Sequence, residues 1–246
     1  MFQRKNIMLA IFCLLSVISL VGCSKSSSYS RLPKQEQNLV WSGERTKPFG
    51  EYDYFDISQK EAIKLVKDKF KLELPVSHDK ISDFTKKDLI LEEIKYTKEV
   101  SFVFARDNQL KYRTNYVYNE GDKTAAFVSV DFDYTYLSKE KEAILSTQTI
   151  QYQFFEVGKK LSQSEIDGLL KEVGSFMKVT DMDKELAEYH KELTDSKDKL
   201  ANKTFVVSDN AKTKIKDKEL TKKIVLLYDE SGNPKELYAR IGDAVE

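Results

Sequence analysis

The chain has 246 residues, with 40 basic and 40 acidic side chains and only two histidines and two cysteines. Charge this evenly balanced argues against a general binder of nucleic acid or anionic lipid, since both need clustered positive charge. So few histidines and thiols argue against a multi-ligand metal site, and neither a metal nor another cofactor is expected.

The N-terminus carries positive charge at Arg4 and Lys5, followed by an uncharged apolar run from Ile7 to Leu20. That run is near the length of a secretory h-region and falls short of the roughly 20 residues a bilayer-crossing helix needs. It ends in Leu20-Val21-Gly22-Cys23, which resembles the lipobox of bacterial lipoprotein precursors. The resemblance covers only these first 23 residues. It implies cleavage between Gly22 and Cys23 and a diacylglyceryl group on the Cys23 thiol. A small residue at Gly22 suits entry of the scissile bond into a protease lying in the membrane. Two acyl chains make a stable anchor where one binds only marginally. The chain is therefore expected to divide into a signal peptide over 1–22, a lipidated flexible tether over 23–40 and an extracytoplasmic domain over 41–246. Residues 41–160 and 161–246 are candidate subdomains.

Cleavage would remove Arg4 and Lys5, leaving 38 basic and 40 acidic side chains. Cys13 lies in the discarded segment and Cys23 takes the lipid, so the domain has no thiol or disulfide and must be held by a packed core. Residues 24–38 are polar and lack apolar periodicity, as a tether should. Trp41, Phe49, Tyr52, Tyr54 and Phe55 then mark where the fold begins.

Ser58 and Glu61 form a capping box ahead of Ala62, Ile63, Val66 and Phe70 at helical spacing, with Pro75 expected to end the helix. From about residue 89 to 157 the period changes to two. The stripes are Val100, Phe102 and Phe104; Tyr112, Tyr116 and Tyr118; Ala126 through Tyr136 at alternate positions; and Ile150, Tyr152 and Phe154. Turn signals at Asp107-Asn108 and at Asn119 to Asp122 make this an antiparallel meander with one packed face. A second capping box, Ser162 with Glu165, opens a helix whose stripe is Ile166, Leu169, Leu170, Val173, Phe176 and Met177. Residues 181–203 are heavily charged and read as a mostly exposed helix or arm. A strand from Thr204 to Val207 and a hairpin around Ser231-Gly232-Asn233-Pro234 close the chain. Helix then strands, given twice and without βαβ alternation, predicts an α+β fold: an antiparallel meander sheet with helices packed on one face.

Chemistry is sparse. There is no His-Glu-x-x-His, Walker loop, Gly-x-Gly-x-x-Gly or Gly-x-Ser-x-Gly motif. His190 reads as a solvated helix residue and His78 as a loop or helix-start residue. Asp131 and Asp133 project from one face of a strand, opposite Phe132 and Tyr134 and about 7 Å apart. They are candidates for contact with a basic partner; paired carboxylates also serve glycosidases, but alternation alone puts acids on a wet face. The meander tyrosines fit core packing by period, although tyrosine also suits recognition surfaces.

With no catalytic residues assigned, the chain is expected not to be an enzyme but to bind a protein partner in the envelope or outside the cell. It would do so from the outer face of a bacterial membrane to which lipid on Cys23 tethers it. The layout is similar to TipC-type immunity lipoproteins of Gram-positive toxin systems, which implies neutralisation of an arriving toxin. Solute capture or another accessory role in the envelope is the alternative. A hydrolase would need Asp131, Asp133 and a histidine converging in a deep pocket. Lysine, glutamate and isoleucine usage suits a low-GC Gram-positive source. Cys23→Ser is expected to abolish metabolic fatty-acid labelling and to leave unprocessed or released protein, because no other residue can accept the thioether; undiminished label would contradict it.

Overall fold

Two capping boxes start the helical layer as the sequence predicts. In the computed structural model, which describes residues 32–89, 94–155, 161–196, 199–210 and 220–242, Ser58 and Ser162 each accept from the backbone N–H of Glu61 and Glu165. Each glutamate reaches back to the backbone N–H of its serine, at 3.0 Å and 2.7 Å. The expected signal peptide, with Gly22 and Cys23, lies outside the described residues.

The helices are α1 (Lys34–Gln37), α2 (Gln59–Lys64), α3 (Ser77–Asp83), α4 (Gln163–Met177) and α5 (Met182–Asp195). Helix α2 runs into a wide turn at Leu65–Lys69 and ends before Lys71, which is left-handed at φ 57°. It thus stops short of Pro75, because the wide turn carries Phe70 into the core against the edge of Phe49. The predicted stripe of α4 is buried throughout. Gly174 on α4 admits α5, since a Cβ there would meet the Met182 sulfur at 2.6 Å. Helix α5 is mostly exposed, as its charge predicts, but is docked rather than a free arm: Leu186 and Tyr189 are buried, and the Tyr189 ring meets the edge of Phe205 at 5.5 Å.

Nine strands form one antiparallel sheet: β1 (Ser42–Glu44), β2 (Tyr52–Ile57), β3 (Lys95–Arg106), β4 (Gln109–Glu120), β5 (Lys123–Leu137), β6 (Glu142–Phe154), β7 (Thr204–Asp209), β8 (Thr221–Tyr228) and β9 (Pro234–Gly242). The spatial order is β2-β3-β4-β5-β6-β9-β8-β7, with β1 paired to β6. The predicted turns join β3 to β4 at Asp107-Asn108 and β4 to β5 at Gly121-Asp122, where Gly121 takes φ +58°. After α4 and α5 the chain returns through β7 and β8, and β9 pairs with β6 from Gln153↔Glu236 to Thr147↔Gly242. The parts before and after residue 160 therefore share one sheet.

The helices cover one face of this sheet. Tyr112, Tyr116, Tyr118 and Tyr134 are buried beneath them, in the core as their period predicts, and their hydroxyls are bonded to the helical side. Tyr116 accepts from Gln59 at 2.9 Å, Tyr134 donates to the Glu73 carbonyl at 2.8 Å, and Tyr118 donates to the Thr85 carbonyl. A buried hydroxyl without a partner would cost about 1–3 kcal/mol.

Residues 32–40, expected as the last part of the tether, are instead packed on this covered face. Leu32 and Leu39 are buried, and the Glu36 carboxylate meets the Lys222 ammonium at 2.6 Å with both side chains about 95% out of solvent (5% and 6% exposed). Glu36 also accepts from the Leu220 N–H at 3.2 Å, while Lys222 donates to the Lys178 carbonyl at 2.9 Å. The polar composition of the segment concealed this, because the partner of Glu36 lies at the far end of the chain. Breaking such a buried pair strands a charge, so Glu36→Ala is expected to destabilise the domain by about 3–5 kcal/mol. Replacing both residues with apolar ones of similar volume, Glu36→Leu with Lys222→Met, should cost less than either single change in a denaturant titration.

Candidate functional site: the uncovered face of the sheet

Strand alternation sends every second side chain away from the helices, and among the described residues no helix packs on that side. The strand register arranges these side chains in transverse rows. One row runs Phe102, Arg113, Asp131, Thr149, Arg240, Lys223 across β3, β4, β5, β6, β9 and β8. The next runs Phe104, Lys111, Asp133, Thr147.

Phe102 and Phe104, expected in the packed stripe, thus lie half-buried on the uncovered side. The covered positions of β3 are the smaller Ser101, Val103 and Ala105, all fully buried, and they leave room for α2 above them. Phe55 of the edge strand β2 joins the two phenylalanines edge-on, at 5.1 Å from the Phe104 ring and 6.4 Å from Phe102. It remains 56% exposed.

Asp131 and Asp133 do share this face, as alternation requires, but Asp131 is not open to solvent. Its side chain is 7% exposed and receives two hydrogen bonds from Arg113, at 2.5 and 2.6 Å. Lys111 lies 3.6 Å from Asp131 and 3.2 Å from Asp133. The Asp131 carboxylate holds the Arg113 guanidinium above its ordinary pKa, while burial pushes the Asp133 carboxyl up against the opposing pull of Lys111. The expectation of two freely available acids is corrected accordingly: both are seated beneath cations from the neighbouring strand. Periodicity flags the acids; it does not show that Lys111 and Arg113 stand beside them, because cross-strand register joins positions set by the turn at Gly121.

The histidines stand apart from these acids. His78, at the start of α3 as expected, is buried on the covered face, with Nδ1 2.9 Å from Asp79 and Nε2 3.1 Å from the Tyr112 hydroxyl. Burial lowers its pKa. The carboxylate can only accept, so the Nδ1–H donates to Asp79 and Nε2 accepts from Tyr112. Burial also pushes the Tyr112 phenol up to about 12. The void beside Ser77, Ile81 and Phe132 measures about 10 Å³, room for one water at most. His190, at the surface of α5, bonds Asp167 at 2.9 Å. The sheet therefore separates His78 from Asp131 and Asp133, and the convergence a hydrolase would need is not formed by these residues. Among the described residues, no cluster of three or more His, Cys, Asp or Glu side chains is placed to hold a metal ion.

A groove of about 320 Å³ lies between the ends of α4 and α5 and the β8–β9 hairpin, walled by Leu161, Ile166, Leu193 and Leu200 with Tyr228 and Asn233. Its walls carry no charge, so it suits a neutral, largely apolar group.

No protein-family model, curated protein or solved structure matches this chain. The rows on the uncovered face can supply charge-assisted hydrogen bonds and an aromatic corner to a partner. Removing Asp131 would leave Arg113 without its bidentate acceptor. Asp131→Ala is therefore expected to lower stability by about 2 kcal/mol, in the range for hydrogen bonds to charged groups. Asp133→Ala should cost under about 1 kcal/mol, as for more exposed ion pairs. Equal, negligible losses for the two in urea unfolding would contradict the difference in seating.

Proposed function

We propose that this chain is a lipoprotein, anchored through Cys23 to the outer face of a bacterial cell membrane, whose domain binds a protein partner and thereby neutralises a toxin arriving there. The observation that carries the binding reading is the uncovered sheet face. It combines half-buried aromatics with charged groups held in fixed positions by cross-strand pairing. Rigid aromatics and arginine are the groups that dominate protein interfaces, because they offer large contact area at little cost in conformational entropy. The anchor rests on the lipobox-like Leu20-Val21-Gly22-Cys23. An antiparallel sheet has no need of helices on its second face, so that face is free to serve a partner while the covered face supplies stability.

Solute capture is the second reading, supported by the apolar groove beside Tyr228. A groove of that size lies at the lower end of small-molecule pockets.

The immunity reading predicts self-intoxication. A strain lacking the gene should be outcompeted by its parent in contact-rich co-culture. Wild-type chain should restore it, and Cys23→Ser should not, because the neutralising domain would then leave the membrane. Equal fitness of the deleted strain would remove immunity, and turnover of an envelope substrate by the purified protein would overturn the binding reading.

A further inference from the structure

In each ion pair of the uncovered face the cation is the more exposed partner. The side chains of Asp131, Asp133 and Asp209 are 7%, 24% and 10% exposed, while those of Lys111, Arg113 and Lys223 are 39%, 37% and 49% exposed. Arg240 stands between Thr149 and Lys223 in the same row and is exposed. Along these rows an approaching surface therefore meets ammonium and guanidinium groups before the carboxylates of Asp131, Asp133 and Asp209; the Asp53 carboxylate beside Phe104 is 39% exposed and is paired with Arg106, which is 57% exposed. Counted by residue type, Asp131 and Asp133 would call for a basic partner; their seating reverses the sign.

Resting on the protein-binding reading above, we infer that the partner is a protein with an acidic surface. Its carboxylates are received by Arg113, Arg240, Lys111 and Lys223, and an apolar side chain of the partner is received at the Phe55–Phe104 corner. The dimensions agree. Adjacent strands lie about 4.8 Å apart, so the row from Phe102 to Lys223 is roughly 24 Å long. That matches the width of a standard interface of about 800 Å² per partner. Guanidinium groups pair bidentately with carboxylates. Arg113 is already oriented by Asp131, so it loses little freedom when a second carboxylate arrives.

An anionic bilayer would also be drawn to these cations, but the entry of the chain favours a protein. Leu39 and the Glu36–Lys222 pair lie on the covered face. Nine residue steps from Cys23 to Leu32 span at most about 30 Å even when fully extended. A tether leaving from the covered side lets that side face the membrane and leaves the uncovered side open to a protein.

The test uses the full-length lipidated chain in its own cells, with a photo-crosslinking benzoylphenylalanine in place of Phe104 and, separately, in place of Glu188 on the exposed side of α5. The expected result is a crosslink from position 104 to a protein segment rich in Asp and Glu. Arg240→Glu should lower its yield on the order of tenfold, since charges at an interface act mainly on encounter rate. Arg240→Gln should give an intermediate loss, and unchanged melting temperatures would show that both variants fold. A position-104 crosslink to phospholipid, to a second copy of this chain or to a segment without carboxylates would overturn the acidic-partner inference and leave the binding reading standing. So would a yield indifferent to Arg240→Glu, or protein crosslinks from position 188 alone. No protein crosslink from either position would overturn both.

Discussion

The attachment of the tyrosine-lined sheet to its helices is the interaction on which the rest of the molecule depends. Large aromatic rings on β4 and β5 bury apolar area, and their hydroxyls reach Gln59, Glu73, Thr85 and His78 on the helical side. A phenylalanine core would bury similar area but would not fix the helices in one register, because apolar contact is non-directional. A buried hydroxyl left without a partner costs free energy, so the hydroxyls of these four tyrosines favour the helix placements in which each is bonded. The helical layer is thereby committed to one face, and the other face is left bare.

That commitment also orders the charges. On the covered side, Glu36 and Lys222 are taken out of solvent together, with the remaining donors and acceptors met by Leu220 and Lys178. On the bare side, the cations of β4 reach across to the acids of β5 and sit above them. Both arrangements obey the same constraint, since a charge is held in a protein only where an opposite charge or several hydrogen bonds replace its water. The covered pair ties the two ends of the chain together. The bare cluster makes a surface whose sign is set by depth.

One sheet shared between the first meander and the last three strands has a consequence for the site. Arg240 and Lys223 come from the end of the chain, Arg113 and Asp131 from its middle, yet the β6–β9 pairing puts them in one row. The face is continuous only because β9 returns to β6. Truncation after α5 would remove Arg240 and Lys223 together with the Lys222 partner of Glu36.

Local rules settled much of this in the sequence alone. Capping boxes at Ser58 and Ser162, the α4 stripe, the turns at Asp107 and Gly121 and the α+β antiparallel class all follow from spacing, because each depends on residues within a few positions of one another. The same spacing placed Asp131 and Asp133 on one face of a strand. What it did not fix was which face of β3 is covered: Phe102 and Phe104 alternate as well as Val103 and Ala105 do, and only the space taken by α2 decides between them. Nor did it show Lys111 and Arg113 over the acids, the burial of Glu36 in a polar segment, or the packing of the charged α5. Those depend on partners brought close by register, by helix packing and by the return of β9. The identity of a charged residue is written in the chain, but whether it faces water, and which sign a partner meets first, is decided by its neighbours in space.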